Sequence, residues 1–411
     1  MMSKKVNVIS LFFFYIVLMA MLLNYVEKVL IWQLGFLALF FITFLCSRRF
    51  RIALVDDIKE ILILFVLISL SLFCANSNNA VFANLMGVVV PCIACLSLVA
   101  IMKTSKLNSE KLLVSCARII NCWWIINIIT LLMQISGYPI FLKQKWIASS
   151  PMYEDLCCGL FGQNRTHELV FYSCLVYSCN MRLCEIHNRN ENRKGARRLL
   201  IYTIVSEALM LIISTRNDNT AMFLFLPVFM LLRGVIKDYK KATDVIKKYF
   251  KYIIAFITII VAIRLSLFVP SIKAVFEDYL YRRFYDMLNY NTVGVAGSNE
   301  RLAIVEYALS IKESYFFGQG FGTEIFGEHI AHGFKHFGLS SIGSTIYIAG
   351  IWYYLMQLII YHKAFVCGMA QKSNNIIKAL TFILIFALSV YSPIFISFSS
   401  MIFLTLYFVY I

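Results

Sequence analysis

Charge is what this chain has least of. Asp, Glu, Lys and Arg make up 15% of its 411 residues, against roughly a quarter in a soluble globular domain. With 60% hydrophobic residues and a mean hydropathy of +0.76, the composition excludes a sizeable soluble domain. Acids are scarcer than bases, 22 against 38. Cysteine is present, at twelve, but the surroundings that would give it a role are missing. Cys74, Cys116, Cys122, Cys174 and Cys179 lie inside apolar runs, where cysteine behaves as a small hydrophobe. Cys92 and Cys95 have C-x-x-C spacing but no second pair and no nearby His, which a zinc or redox site requires. Cys157 and Cys158 fall outside the runs, yet they are sequence neighbours, and neighbours rarely bond to each other. The pattern is not a disulfide framework.

In place of charge stand long apolar runs. Twelve lie near 7–26, 29–46, 60–75, 80–102, 112–135, 166–184, 199–214, 219–235, 250–270, 341–362, 376–392 and 394–411. About 18 apolar residues suffice to cross a hydrocarbon core of roughly 30 Å. The expected fold class is therefore an all-α polytopic integral membrane protein with about 12 transmembrane helices. The first run does not read as a cleaved signal, because another apolar run follows after two charges without a small-residue cleavage site.

Basic loops orient the spans. Lys4 and Lys5, the group Arg48, Arg49, Arg51 and Lys59, and Lys103, Lys106 and Lys111 fall on one side. The stretch from Arg182 to Arg198, "RGVIKDYKKATDVIKKYFK", and Lys363, Lys372 and Lys378 join them. Short Lys/Arg-rich loops stay inside, so both termini are expected in the cytoplasm. The net charge of +16 reads as retention charge and contact with anionic membrane lipid. Nucleic acid is not an expected partner, since the bases are scattered rather than gathered on one face.

Two outer segments are long, 136–165 and 271–340. Loops beyond about 15 residues are usually functional or disordered, and the second is not disordered in composition: "VFEDYLYRRFYDMLNY" suits an amphipathic helix on the membrane surface. The chain thus divides into spans over 1–270, an outer loop over 271–340 and spans over 341–411. Within the loop, "NERLAIVEYALSIKESYFFGQGFG" predicts a helix from Asn299, with Ser298 as its cap and Glu300 in its first turn. Leu302, Val305 and Leu309 with Ile304, Ala308 and Ile311 form a broad apolar stripe. Gly318, Gly320 and Gly322 then break it. The "GQGFG" triplet lacks the preceding strand of a dinucleotide fingerprint and reads as a turn going back into the membrane.

Arg301 is unusual, because a cation at a helix N-terminus opposes the helix dipole at a cost of about 0.5 kcal/mol. A bound anion would feel both the guanidinium and the free N–H groups; the plainer reading pairs Arg301 with Glu300 or a lipid phosphate. Arg216, in the short turn "STRND", and Arg165, in "GQNRTHELVFY" beside His167 and Glu168, are expected on the same outer face. Ionisable residues at such a boundary are functional by default, and arginine grips phosphate as a fork. Together Arg165, Arg216 and Arg301 suggest a site for a membrane-borne diphosphate. His329, His332 and His336 could bind a metal, serve as a base near neutral pH or be ordinary loop residues. Gly327, Gly333 and Gly338 argue against the helix a metal set would need.

The order of these features (an arginine turn, a long outer loop opening on "NERLAIVEYALSIKESYFFGQGFG", a His-rich segment and a span with "STIYIAGIWYYLMQ") resembles the O-antigen polymerase (Wzy-type) and O-antigen ligase superfamily. The likeness covers most of the chain in topology and about 215–355 in motif. It implies a GT-C-like membrane fold in the bacterial inner membrane with a long periplasmic loop. The implied activity is metal-independent, inverting glycosyl transfer in lipopolysaccharide biosynthesis, without a cofactor. Undecaprenyl-diphosphate-linked oligosaccharides would be the substrates and a chain-length regulator protein a partner. Arg216 and Arg301 would hold the diphosphate, with Arg165 joining them. The ligases place a His about eleven residues before a glycine of the late span; counting back from Gly350 gives Leu339, with Ser340 and Ser341 beside it. That departure favours polymerase over ligase and leaves His332, His336 and Glu300 as base candidates. A lipid-linked oligosaccharide flippase is the alternative outside the enzyme class.

Overall fold

The computed structural model describes residues 8–23, 29–73, 81–104, 109–138, 140–141, 157–162, 165–214, 298–311, 315–322, 340–369, 389 and 394–410. These are all-helical, with no strand among them. The helices are α1 (Val8–Leu22), α2 (Val29–Cys46), α3 (Arg48–Val55), α4 (Ile58–Phe73), α5 (Val81–Thr104) and α6 (Ser109–Ile135). They continue as α7 (Thr166–Arg189), α8 (Arg193–Ser214), α9 (Ser298–Ser310), α10 (Ser341–Met369) and α11 (Phe398–Tyr410). Three are long and apolar enough to cross a membrane, over Asn84–Thr104, Ala117–Ile135 and Ser341–Cys367. A fourth is added if Leu30–Cys46 and Arg48–Val55, bent by 102°, count as one span. The expected runs at 219–235, 250–270 and, apart from Ser389, 376–392 lie outside the described residues.

Helix α11 occupies the centre. It packs against α1, α5, α7 and α10, and Met401, Ile402, Phe403, Leu404, Leu406, Phe408 and Val409 are all buried. A helix apolar on every side is stable only where every side is covered. Phe403 meets Tyr172 of α7 and Phe161, with ring centroids 5.0 and 5.9 Å away. The peripheral helices reverse the pattern. On α4 only Leu64 and Ser71 are buried, while Leu62, Ile63, Phe65, Val66 and Phe73 are exposed; Leu34, Phe41 and Leu45 of α2 behave alike. Polar side chains turn inward instead. Asn121 of α6 and Asn180 of α7 exchange two amide hydrogen bonds, at 2.8 and 2.9 Å. Such cross-helix bonds are worth about 0.6–2 kcal/mol in lipid, where no hydrophobic difference drives helices together.

Helix α3 was not foreseen in the hydropathy, which is dominated by the run before it. Ser47 caps it by accepting from the Phe50 N–H at 3.2 Å. Arg51 folds back to donate from Nη1 to the carbonyls of Phe44 and Leu45, at 3.2 and 2.6 Å, satisfying the end of α2 where a cation is favoured. Close by, Asp57 is buried and accepts from Lys103 of α5 at 3.2 Å and from Lys363 of α10 at 2.8 Å. Lys363 also pairs with Glu60. One buried carboxylate thereby joins the ends of three helices.

Helix α10 is broken at Gly350, whose φ of 80° and ψ of 173° are not helical. The glycine-rich segment 315–322 fills the break. The Gln319 N–H donates to the Tyr347 carbonyl at 2.7 Å, the Gly320 N–H to Ile348 at 2.9 Å, and the Ile351 N–H to Tyr315 at 3.0 Å. Ser71 Oγ donates to the Ile348 carbonyl at 3.1 Å, and Asn84 Nδ2 to the Phe321 carbonyl at 2.7 Å. The approach needs two glycines. Gly318 has φ +77° and Gly350 φ +80°, and a Cβ on either would strike the backbone of the other segment, at Ile348 and Phe316 respectively. The sequence pattern predicted one uninterrupted span over 341–362; it missed the break because a single glycine hardly alters mean hydropathy.

Two outcomes follow for stability in detergent. Gly350→Ala is expected to cost at least about 3 kcal/mol, from left-handed backbone strain plus collision, lowering Tm more than Ala at exposed Gly137. Asp57→Asn leaves Lys103 and Lys363 without their shared counter-ion. It should cost about 1–2 kcal/mol, below a fully buried pair because both lysines are partly exposed, again read as Tm.

Candidate functional site at the start of helix α7

The turn leading into α7 is held from below by amides of α6. Gln134 Oε1 accepts from the Gly159 N–H at 2.8 Å, and its Nε2 donates to the carbonyls of Gly159 and Ile140, at 3.0 and 2.7 Å. Asn127 Oδ1 accepts from the Leu160 N–H at 2.7 Å. Cys158 Sγ accepts from the backbone N–H of Arg165 at 3.2 Å. Cys157 and Cys158 are buried. This buried polar scaffold fixes where Arg165, the N-cap residue of α7, leaves the turn.

Glu168, fully buried, organises the side chains above it. Its Oε1 accepts from Arg165 Nη1 at 3.0 Å and from Ser397 Oγ at 2.8 Å. His167 Nε2 lies 2.7 Å from Oε2, close enough for an ion pair when the ring is protonated. That contact is misaligned for a hydrogen bond, so both atoms stay unbonded despite the distance. A buried carboxylate is tolerable only with such cationic and hydrogen-bonding company. Arg165 is differently placed: its side chain is 43% exposed. Among the described residues only Nη1 of its guanidinium is engaged, which leaves the rest of the fork facing outward at a helix N-terminus. A cation anchored from behind, beside free backbone N–H groups, is suited to an anion with several oxygens.

The other expected site residues divide. Glu300 and Arg301 lie in the first turn of α9, which starts at Ser298 rather than Asn299; their side chains are outside what is described. Arg216, His332 and His336 lie outside the described residues. Helix α9 sits on α10 with Ile304 and Ala308 buried, while Leu309 is 42% exposed. The broad stripe is therefore only half used, because the contact runs along Gly343, where Ile304 meets the α10 backbone. The rings of Tyr307 and Tyr347 extend that contact, 5.9 Å apart. Helices α7 and α9 are linked through α11, which packs on α7 and on α10, and through α10, on which α9 sits.

Ser340 and Ser341, the neighbours of the position where a ligase-type His was sought, have structural partners. Ser340 Oγ caps α10 by accepting from the Gly343 N–H at 3.2 Å. Ser341 Oγ accepts from the Phe395 N–H at 3.0 Å. Among the described residues no three His, Cys, Asp or Glu side chains gather as a metal-binding set.

Sequence reading placed Arg165, His167 and Glu168 together because they are adjacent in the chain. It missed Ser397, 229 residues from Glu168, and the buried Glu207, bonded to Ser173; a lone acid within an apolar run was the available signal for the latter. The fold defines a helical membrane protein. Compared with family models, curated proteins and solved structures, the chain matches none.

Glu168→Gln is expected to lower stability by about 3 kcal/mol, since it discards the charge facing Arg165 and His167. Ser397→Ala should cost about 1 kcal/mol. Unfolding of both single variants and the double variant checks this: a shared network gives a combined loss smaller than the sum.

Proposed function

We propose that the chain is an O-antigen polymerase. It joins undecaprenyl-diphosphate-linked oligosaccharide repeat units on the periplasmic face of a bacterial inner membrane, with about 12 spans and both termini in the cytoplasm. The observation that carries the reading is the outward-facing fork of Arg165, anchored from behind by buried Glu168. In the same chain Arg216 and Arg301 occupy the positions that the superfamily resemblance assigns to a diphosphate. The packing of α9 on α10, and of the 315–322 turn on the break at Gly350, supports it further. Both give the long outer loop a rigid base.

In this mechanism the donor diphosphate rests against the arginines, which stabilise the charge that develops as the leaving group departs. A sugar hydroxyl of the second lipid-linked unit attacks C1. Its oxygen bonds to C1, the bond from C1 to the diphosphate oxygen breaks, and the hydroxyl proton passes to a base. His332, His336 and Glu300 are the candidates for that base. Undecaprenyl diphosphate leaves, and no metal takes part.

The test is a gel of surface polysaccharide from a deletion strain, complemented with wild type or with Arg301→Ala. The expected result is a core bearing a single repeat unit in the deletion, a ladder restored by wild type, and no ladder with Arg301→Ala at an unchanged protein level in the membrane. A normal ladder with Arg301→Ala would refute the assignment of that residue. A core without any repeat unit would replace polymerase by ligase or flippase: long lipid-linked chains accumulating outside choose ligase, trapped single units inside choose flippase.

A further inference from the structure

Glu207 is an acid with no cation beside it among the described residues. It lies on α8 within the apolar run 199–214, is 9% exposed, and faces α7. One carboxyl oxygen is bonded to Ser173 of α7. The other, Oε1, is buried and has no partner among the described residues. The buried hydroxyl of Tyr202, on the same helix, is unpartnered as well and close enough to Glu207 to interact with it. Among the described residues the other groups that interact electrostatically with the pair are neutral: Cys174 of α7 with Glu207, and Tyr172 of α7 and Cys122 of α6 with Tyr202. Arg118 of α6 and Arg197 and Arg198 of α8 are exposed, and no described cation forms an ion pair with Glu207.

A carboxylate here would accept from Ser173 and leave a bare anionic oxygen among apolar side chains, the arrangement that low-dielectric surroundings penalise most. A carboxylic acid would not. It carries no net charge, and its O–H can donate where a carboxylate can only accept. A bound metal cation would need several more oxygens than Glu207, Ser173 and Tyr202 present.

We propose that Glu207, with Ser173 and Tyr202, is a proton-binding site inside the helix bundle, its carboxyl holding a proton at neutral pH. Release of that proton leaves an uncompensated anion between α7 and α8, so proton loss is coupled to opening of this helix pair or to entry of water. The site rests on α8 lying within the membrane and not on glycosyl transfer, so the polysaccharide gel and the experiment below fail independently.

The experiment uses carbodiimides on membranes carrying the full chain. A protonated carboxyl adds across the C=N bond: its oxygen bonds to the central carbon, its proton goes to nitrogen, and rearrangement gives a stable N-acylurea without a leaving group. Peptide mass spectrometry then reads the adduct at Glu207. The lipid-soluble dicyclohexylcarbodiimide is expected to label Glu207 at neutral pH, whereas a water-soluble carbodiimide is not. The label should fall about tenfold for each pH unit above the midpoint of the group. It should be lost in Glu207→Gln and persist in Ser173→Ala. Two results would overturn the proposal: no adduct on Glu207 in wild-type membranes at neutral pH, or equal labelling by the water-soluble reagent, which marks an ionised or water-facing acid.

Discussion

A backbone N–H or C=O inside an apolar bundle has no water to bond, and each one left open costs several kcal/mol. The break at Gly350 opens such groups in the longest described helix, and the rest of the architecture answers them. Segment 315–322 supplies two N–H donors and one carbonyl, Ser71 supplies a hydroxyl, and Asn84 of α5 ties the incoming segment at Phe321. The break lies about 13 Å along the helix from Ser341 at roughly 1.5 Å per residue. The loop that begins with α9 is thus stitched into the bundle rather than resting on it.

That constraint explains where polarity is spent. At one end Asp57 gathers Lys103 and Lys363; at the start of α7 Glu168 gathers Arg165, His167 and Ser397. Each carboxylate is buried and each serves as a hub, because an acid in apolar surroundings is stable only when charges and hydroxyls converge on it. The difference between the hubs is the free edge. The lysines around Asp57 point their charge at the acid, whereas most of the Arg165 fork stays outside the network and can meet a ligand. Glu207 has no cation among the described residues, and the proposed proton takes the place that Lys and Arg fill at the other two acids.

Legibility followed the range of the interactions. Helices α2, α5 and α6 stand within a few residues of their expected bounds, since run length and hydropathy are local properties. Arg165, His167 and Glu168 were legible as a group because one turn of helix brings them together. The half-used stripe of α9 was not, because which side of it is buried depends on Gly343 in another helix. Ser340 and Ser341 looked like neighbours of a missing catalytic residue until their bonds to Gly343 and Phe395 gave them capping and tethering work.

By itself the sequence determined that this is a helical membrane protein, where its long runs lie, and that its charge is confined largely to the segments between them. Those conclusions need only the cost of placing charge and open backbone in hydrocarbon. Only the tertiary structure decided that Gly318 and Gly350 meet, that Ser397 reaches Glu168, and that Glu207 is left with an unpartnered oxygen. Each of these turns on residues that hydropathy scores alone and packing brings into contact, from 34 to 229 positions apart in the two acid pairs. The energy of a buried polar atom is set by the atom opposite it, and composition along the chain carries no record of which atom that is.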